Sequence, residues 1–290
     1  MLQIATCQAL FGTGALLLAG LALKQANSGI KTVYITDPTW SNHDLLFSRL
    51  GFEVKKLPYY RNGSFDCTNF ISALEEADCT CAVVLHACAH NPSGCDPTHE
   101  QWKDIASLIK QKEIFPIFDS AYLGFNSGSI HDDAWAIRYF TEELQLEACV
   151  CLSFAKNMGL YGERVGLTTF VTPSAETVTT MFSILCNAQR ATVSNPPAYG
   201  AKLAATVLGT PVIKQQWFED LVTMSSRIKS MRKMLYDSLA SLGTPGEWSH
   251  IIQQTGMFGY TGISEAQVVY LEGESSALEY CSTERFTDTL

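Results

Sequence analysis

The stretch A-C-V-C-L-S-F-A-K-N, residues 148–157, decides the fold. Its apolar first half predicts a buried strand, and a lysine, Lys156, follows soon after it. Similar apolar runs predict strands at 32–36, 53–57, 81–86, 114–119 and 165–171. Continuous apolar strands of this kind are typical of a sheet that is covered on both faces. The polar residues that follow these strands are therefore the first candidates for a functional site.

Amphipathic stretches between the strands predict helices. In 98–111 the apolar residues recur at helical spacing, and Thr98 with Gln101 forms a capping-box signal at the start. The alternation of strands and helices predicts an α/β fold with a doubly wound, mostly parallel sheet that includes the strand at 165–171. Ligands bind such sheets at the carboxyl ends of the strands.

One helical pattern is unusually long. It runs over 211–242 with no glycine inside it, whereas the usual helix has about 11–12 residues. We therefore expect it to connect two domains. We assign 1–220 to a large domain, and 221–290 to the connecting helix and an incomplete, smaller α/β domain.

Composition excludes several classes of protein. The 290 residues carry a net charge of −9, are 47% hydrophobic and 17% charged, and include no block of basic residues. Such a chain is folded rather than disordered, and we expect no nucleic-acid partner. The most apolar segment, 16–23, is too short to span a membrane, and no basic region precedes it as in a signal peptide.

Ten cysteines occur without a CxxC pair. The most closely spaced are Cys79 with Cys81 and Cys149 with Cys151, each pair in a strand-like run. On the premise that the two members of each pair point to opposite faces of their strand, we expect neither pair to form a bridge or share a metal. We interpret the cysteines as reduced core thiols of an intracellular protein.

Several strand ends carry recognisable motifs. These are HACAHNPSG at 86–94, FDSAYLGF at 118–125, SFAKNMGLYGERVG at 153–166 and SNPPAYGA at 194–201, together with the glycine turn FGTG at 11–14. The chain resembles the aspartate aminotransferases, which are pyridoxal-phosphate (PLP) enzymes of fold type I. The resemblance extends from about Gly12 to about Tyr260 and is nearer to the cytosolic branch, which implies a cytoplasmic protein whose large domain binds PLP.

The resemblance implies three catalytic residues. Lys156 is expected to form the Schiff base with the cofactor aldehyde and to move the proton between substrate and cofactor. Asp119 is expected to face the protonated pyridine nitrogen, since a carboxylate that ends an apolar strand needs a partner. Tyr122, with Asn91, is expected to hydrogen-bond the phenolic oxygen of the cofactor. His86 is expected either behind this pair or as a satisfied core histidine, and it stays outside the catalytic set.

The resemblance also implies the contacts of the cofactor ring and phosphate. Trp40 is expected to stack on the pyridine ring, although a lone tryptophan usually packs in a core. The phosphate is expected to bind a guanidinium fork, a hydroxyl and the free N–H groups of a helix N-terminus. These belong to Arg164, Ser153, Gly12 and Thr13. Phe11 departs from the family, which usually has a hydroxyl or amide side chain there, so a phosphate contact is expected to be lost.

On the substrate side, the implied residues are Arg190, Trp40 and Asn91. Arg190 resembles an arginine that reaches the site of the neighbouring subunit and binds the distal carboxylate of aspartate or glutamate, although a surface arginine is the alternative. The family implies a homodimer with shared active sites, and the substrates aspartate, glutamate, 2-oxoglutarate and oxaloacetate. We find no set of metal ligands.

The resemblance is incomplete at both ends. Family chains begin well before Gly12, and they end with an arginine for the substrate α-carboxylate in a Ser-Gly-Arg-Ile-Asn setting. Here Arg285 lacks that setting, and we do not assign it this role. We therefore expect very low transamination by the chain as given. An inactive fragment or pseudoenzyme that only binds PLP stays open, as does a different PLP reaction such as β-elimination.

Overall fold

A seven-stranded sheet forms the centre of the computed structural model, which describes residues 2–27 and 29–274. Its strands are β1 (Gln3–Leu10), β2 (Thr32–Asp37), β3 (Glu53–Pro58), β6 (Cys81–His86), β7 (Phe115–Ser120), β8 (Ala148–Ser153) and β9 (Val165–Thr172). A small separate hairpin consists of β4 (Tyr60–Arg61) and β5 (Ser64–Phe65). The predicted strands are all present, within one residue at each end.

The strand order is β1-β9-β8-β7-β6-β2-β3. From β8 to β3 all neighbours are parallel, which confirms the predicted α/β class with a mostly parallel sheet. The strand at 165–171 is an exception to the parallel pairing, because β9 is antiparallel to both β8 and β1. The physical reason is the short, helix-free connection at 154–164, since a parallel neighbour needs a crossover of a dozen or more residues.

Eleven α-helices lie in the described residues. They are α1 (Phe11–Ala26), α2 (Asn42–Arg49), α3 (Cys67–Leu74), α4 (His99–Lys112), α5 (Ile130–Asp133), α6 (Trp135–Arg138), α7 (Ala175–Thr192), α8 (Ala198–Gly209), α9 (Pro211–Ser241), α10 (His250–Gln253) and α11 (Glu265–Glu274). A π-helical turn, Tyr139–Glu143, follows α6.

The sheet is covered on both faces. One apolar cluster joins the strands to α1, α2 and α7, and a second joins them to α3, α4 and the start of α9. Strands β6 and β7 are almost entirely buried, which explains their continuous apolar sequences. The doubly wound arrangement therefore leaves the carboxyl ends of the central strands as the place where polar groups collect.

The helix predictions are confirmed where they were specific. Thr98 and Gln101 make both hydrogen bonds of the capping box at the start of α4. The long pattern at 211–242 is the helix α9, which begins at a proline. The assignment of 1–220 and 221–290 to two domains stays a prediction, and Arg285 lies outside the described residues.

Among the described residues, no helix is both long and apolar enough to cross a membrane.

The interpretation of the cysteines needs correction. Residues two apart on a strand share a face, so the premise for Cys149 and Cys151 was wrong: both are fully buried on β8, with their sulfurs 3.9 Å apart. Cys79 is exposed rather than a core thiol. In the described residues every cysteine is a free thiol.

The turn between β1 and α1 is held tightly against β9. The Phe11 N–H donates to the Arg164 carbonyl at 3.0 Å, and Gly166 lies directly beneath the turn. A Cβ added to Gly166 would lie 2.5 Å from the Phe11 carbonyl oxygen and 2.7 Å from that of Leu152. Since both obstacles are backbone atoms, only glycine allows the turn to approach the ends of β8 and β9 this closely.

We therefore expect Gly166→Ala to destabilise the fold by about 3 kcal/mol, because overpacking against backbone atoms forces a local shift of the chain. Urea unfolding of the variant measures the change. Gly162→Ala is the matched control, since nothing lies within 4 Å of a Cβ added there. Equal stability of the two variants would contradict the close approach at Gly166.

Candidate functional site

Polar groups from separate chain segments meet at the carboxyl ends of β6, β7 and β8. Asp119 lies near the end of β7, paired in register with His86 of β6 on one side. Asn91 follows β6, and Lys156 lies in the turn after β8. The structure thus brings most of the residues predicted for a cofactor to one edge of the sheet.

The carboxylate of Asp119 is buried and paired. His43, at the start of α2 and fully buried, donates from Nε2 to Asp119 Oδ2 at 2.9 Å, while its Nδ1 pairs with the hydroxyl of Thr39 at 2.9 Å. Burial alone would raise the pKa of Asp119, but the His43 hydrogen bond and the nearby charges of His43 and Lys156 hold it below the usual value. Asp119 is therefore ionised at neutral pH.

Two further histidines lie behind this pair. His90 is bonded through both ring nitrogens, to Thr36 at 2.9 Å and to Ser93 at 2.8 Å. His86 Nδ1 is buried and has no partner among the described residues, so the alternative of a satisfied core histidine is wrong. Burial, with the charge of His43, lowers the pKa of His86 to about 3, which keeps its ring neutral.

His43 is not among the residues predicted for the site, and the sequence motifs predict no set of metal ligands. The structure places possible ligand atoms of His43, His86 and Asp119 within 4.8 Å of one another. The available signal for His43 was its position three residues after Trp40, where the following helix begins. Because His43 and Asp119 already bond to each other, we interpret the group as a hydrogen-bonded network that fixes the carboxylate.

The amine of Lys156 has no hydrogen bond or ion pair within the described part of the chain. Its Nζ lies 4.9 Å from the centre of the Tyr122 ring and 4.7 Å from that of Phe11. Burial lowers the pKa of Lys156; the charge of Asp119 opposes this and the charge of Arg164 adds to it. A lysine in this setting is a better nucleophile and base at neutral pH than a solvated one.

Tyr122 lies directly beyond β7. Asn91 Nδ2 donates to its hydroxyl oxygen at 3.4 Å, and no acceptor for the hydroxyl proton is found in the residues described. Burial, followed by the charge of Asp119, raises the pKa of Tyr122, so its hydroxyl keeps its proton. Tyr122 and Asn91 therefore offer donors next to the Lys156 amine.

A second group of donors forms what we call the anion seat, made of Gly12, Thr13, Ser153 and Arg164. Helix α1 has no side-chain cap, and after the Phe11 N–H, which donates to the Arg164 carbonyl, its next N–H groups are free to bind an anion. A Cβ on Gly12 would lie 3.4 Å from the Cβ of Ser153, which shows how closely the helix start approaches β8. The Ser153 hydroxyl accepts from the Ala155 N–H at 3.3 Å and keeps its own proton to donate.

Two predicted residues lie less centrally. Trp40 is half-buried and meets the His43 ring edge-on, with centroids 5.4 Å apart. Arg190 is exposed in the last turn of α7 and donates to Ser194 Oγ at 2.5 Å. No hydrogen bond or ion pair in the described residues links Arg190 to the other site residues of the same chain.

The donor set fits PLP. Within the described chain, Asp119 has a second carboxylate oxygen without a hydrogen-bond donor, suited to a protonated ring nitrogen. Lys156 has an unpaired amine, suited to an aldehyde. The anion seat suits a phosphate. These three features correspond to the three reactive ends of one cofactor.

Comparison with known proteins agrees with this chemistry. The family model for aminotransferase class I and II matches residues 2–284. The cytoplasmic aspartate aminotransferase of Schizosaccharomyces pombe is 46% identical over 275 residues, or 93% of this chain and 67% of that protein. That of Caenorhabditis elegans is 48% identical over 267 residues, or 91% of this chain and 65% of that protein. The chain spans about two thirds of the length of these curated relatives.

A solved structure gives the same result. An aromatic-amino-acid aminotransferase from Burkholderia pseudomallei, covalently bound to pyridoxal phosphate, is 38% identical with a TM-score of 0.90, covering 93% of this chain and 68% of that chain. The predicted resemblance is confirmed, and the matched family is PLP-dependent. Nothing in these comparisons supports the alternative of an inactive fragment.

We expect His43→Leu to lower stability by about 3–5 kcal/mol at pH 7, because it leaves the buried Asp119 carboxylate unpaired. The native pKa of Asp119 lies below its unfolded value, so the pair stabilises the fold above the unfolded pKa of about 3.9 and loses this effect as the pH falls through the native pKa. In the variant, burial raises the pKa of Asp119 instead. Protonation of the carboxyl at acid pH then removes the cost of burying an unpaired charge.

The stability gap between wild type and His43→Leu should therefore narrow as the pH falls from 7 toward about 4, which urea unfolding at each pH measures. His131→Leu is the control, since its pairing with Asp132 is exposed. A gap that stays constant over this range would show that Asp119 does not depend on His43.

Proposed function

The chain belongs to the class I and II aminotransferase family, and on that premise we propose that it is a PLP-dependent aminotransferase. The proposed reaction moves the amino group between L-aspartate and 2-oxoglutarate, giving oxaloacetate and L-glutamate. The observation that carries the proposal is the unpaired amine of Lys156 beside the buried, ionised Asp119 and the anion seat. The relatives' name, aspartate aminotransferase, supports the choice of substrates.

When bound, PLP supplies an aldehyde for covalent attachment and a cationic ring that withdraws electrons from the substrate. Lys156 is the attachment point, and its amine then serves as the base that moves the substrate Cα proton. Asp119, held ionised by His43, keeps the proton on the ring nitrogen. The neutral His86 behind the carboxylate adds no positive charge that would compete with the ring.

The remaining residues hold and orient the cofactor. Tyr122 and Asn91 donate toward the phenolic oxygen of the cofactor, and Trp40 covers its ring. The anion seat holds the phosphate through the free N–H groups of Gly12 and Thr13, the Ser153 hydroxyl and the Arg164 fork. Because the seat and Asp119 lie on different chain segments, the cofactor would be fixed at both ends.

We also propose that the active protein is a cytoplasmic homodimer with shared sites. The exposed position of Arg190 at the end of α7 supports this, because no site residue of its own chain pairs with it and a second copy could. Its guanidinium would bind the distal carboxylate of aspartate or glutamate in the partner's site, with Trp40 and Asn91 on the substrate side of the cofactor. The names of the relatives, which are cytoplasmic aspartate aminotransferases, support the proposed cytoplasmic location.

Lys156→Ala should abolish covalent attachment of PLP, because among the described residues no other lysine acts on Asp119. The measurement is the visible absorbance band of the protein with PLP, before and after borohydride reduction, with mass spectrometry to locate the label. Lys229→Ala, on the exposed side of α9, is the control and should keep the band. A band that survives Lys156→Ala would move the attachment point elsewhere.

Arg190→Ala should reduce the rate of amine transfer from aspartate to the bound cofactor by about a hundredfold or more, while the rate with an aromatic amino acid changes little. The physical reason is the loss of a bidentate partner for the distal carboxylate. Single-turnover spectra with each amino acid measure the two rates. The control is Arg227→Ala, an exposed arginine of α9. Equal losses with both amino acids would contradict the proposed role in specificity.

A further inference from the structure

Phe11 combines features that packing does not explain. It is a bulky residue with φ +65°, a backbone conformation that such side chains rarely adopt. Its ring is half-buried, yet it belongs to neither apolar cluster of the sheet. A strained residue without a packing role is a reason to examine what its side chain contacts.

The ring contacts two cations of the proposed site. Its centroid lies 3.8 Å from Arg164 Cζ and 4.7 Å from Lys156 Nζ. Aromatic rings attract cations within about 6 Å of their centre, and the guanidinium is close enough to stack. Apart from this ring, the Arg164 guanidinium has one hydrogen bond in the described chain, to the Tyr161 carbonyl at 3.2 Å.

We propose that Phe11 occupies the anion seat from within, so that its ring competes with a phosphate for Arg164 and also lies against the Lys156 amine. A cofactor fixed by Arg164 at one end and by Lys156 at the other must pass between these two side chains, and the ring is in contact distance of both. The free N–H groups of Gly12 and Thr13 remain available, since the ring has nothing that accepts them. Loading therefore requires the ring to leave the two cations.

The inference rests on the proposed function for the identity of the cofactor, but the competition with an anion can be tested without it. The full chain and its variants Phe11→Leu and Phe11→Ala are titrated with inorganic phosphate, with PLP and with pyridoxal, which lacks the phosphate. Calorimetry measures phosphate binding, and absorbance measures the two aldehydes. Phe11→Leu keeps an apolar side chain of similar bulk, so it guards against a variant that fails to fold.

Both variants should bind phosphate and PLP more tightly, by about two- to fivefold for Phe11→Ala, because an aromatic contact with an exposed cation such as Arg164 is of that strength. The gain for PLP should exceed the gain for pyridoxal. Phe182→Ala, which removes an exposed ring of α7, is the control and should change neither affinity. Unchanged or weaker phosphate binding in both variants would overturn the proposal, as would equal gains for PLP and pyridoxal.

These outcomes separate the two proposals. If phosphate binding strengthens in the variants but no protein forms the covalent PLP band, the competition holds and the proposed function fails. If wild type forms the band and neither variant changes any affinity, the function holds and Phe11 is only a structural feature of the turn.

Discussion

The buried carboxylate of Asp119 is the constraint on which the site depends. A charge near the end of an apolar strand in the middle of a sheet is costly unless a donor neutralises it. His43 supplies that donor from a different element, and this fixes the start of α2 over the end of β7. Burial keeps the neighbouring His86 neutral, and the Lys156 amine lies in the field of one ionised acid.

Much of the fold follows from local sequence, because the central strands have no polar face. The runs at 81–86 and 148–153 therefore mark β6 and β8 to the residue, and the capping box marks the start of α4. The first strand, β1, was missed, and the direction of β9 was not predicted. Both lie on the side of the sheet where the pairing is antiparallel. There the direction of a strand depends on the length of the preceding connection and not on the hydrophobic pattern.

The site was predictable to the extent that each residue follows its own strand. Lys156, Asp119 and Asn91 could be placed because parallel strands end at one edge. The bond from His43 to Asp119 and the unpartnered nitrogen of His86 could not, since they depend on how three separate segments turn their side chains toward one point. Phe11 was expected only to remove a side-chain contact with the phosphate, whereas in the structure its ring lies against Arg164.

The Asp119 end and the anion seat therefore have different proposed functions. At the Asp119 end the ionised carboxylate is suited to a protonated ring nitrogen, and we propose that this end determines the chemistry. At the anion seat the donors are in place, but a side chain of the same chain already stacks on the strongest of them. Because the Phe11 centroid lies 3.8 Å from Arg164 Cζ, the proposed competition alters the affinity for an anion while the guanidinium itself stays in the seat. A substitution at the anion seat can thus change the affinity for the cofactor without changing the groups at the Asp119 end.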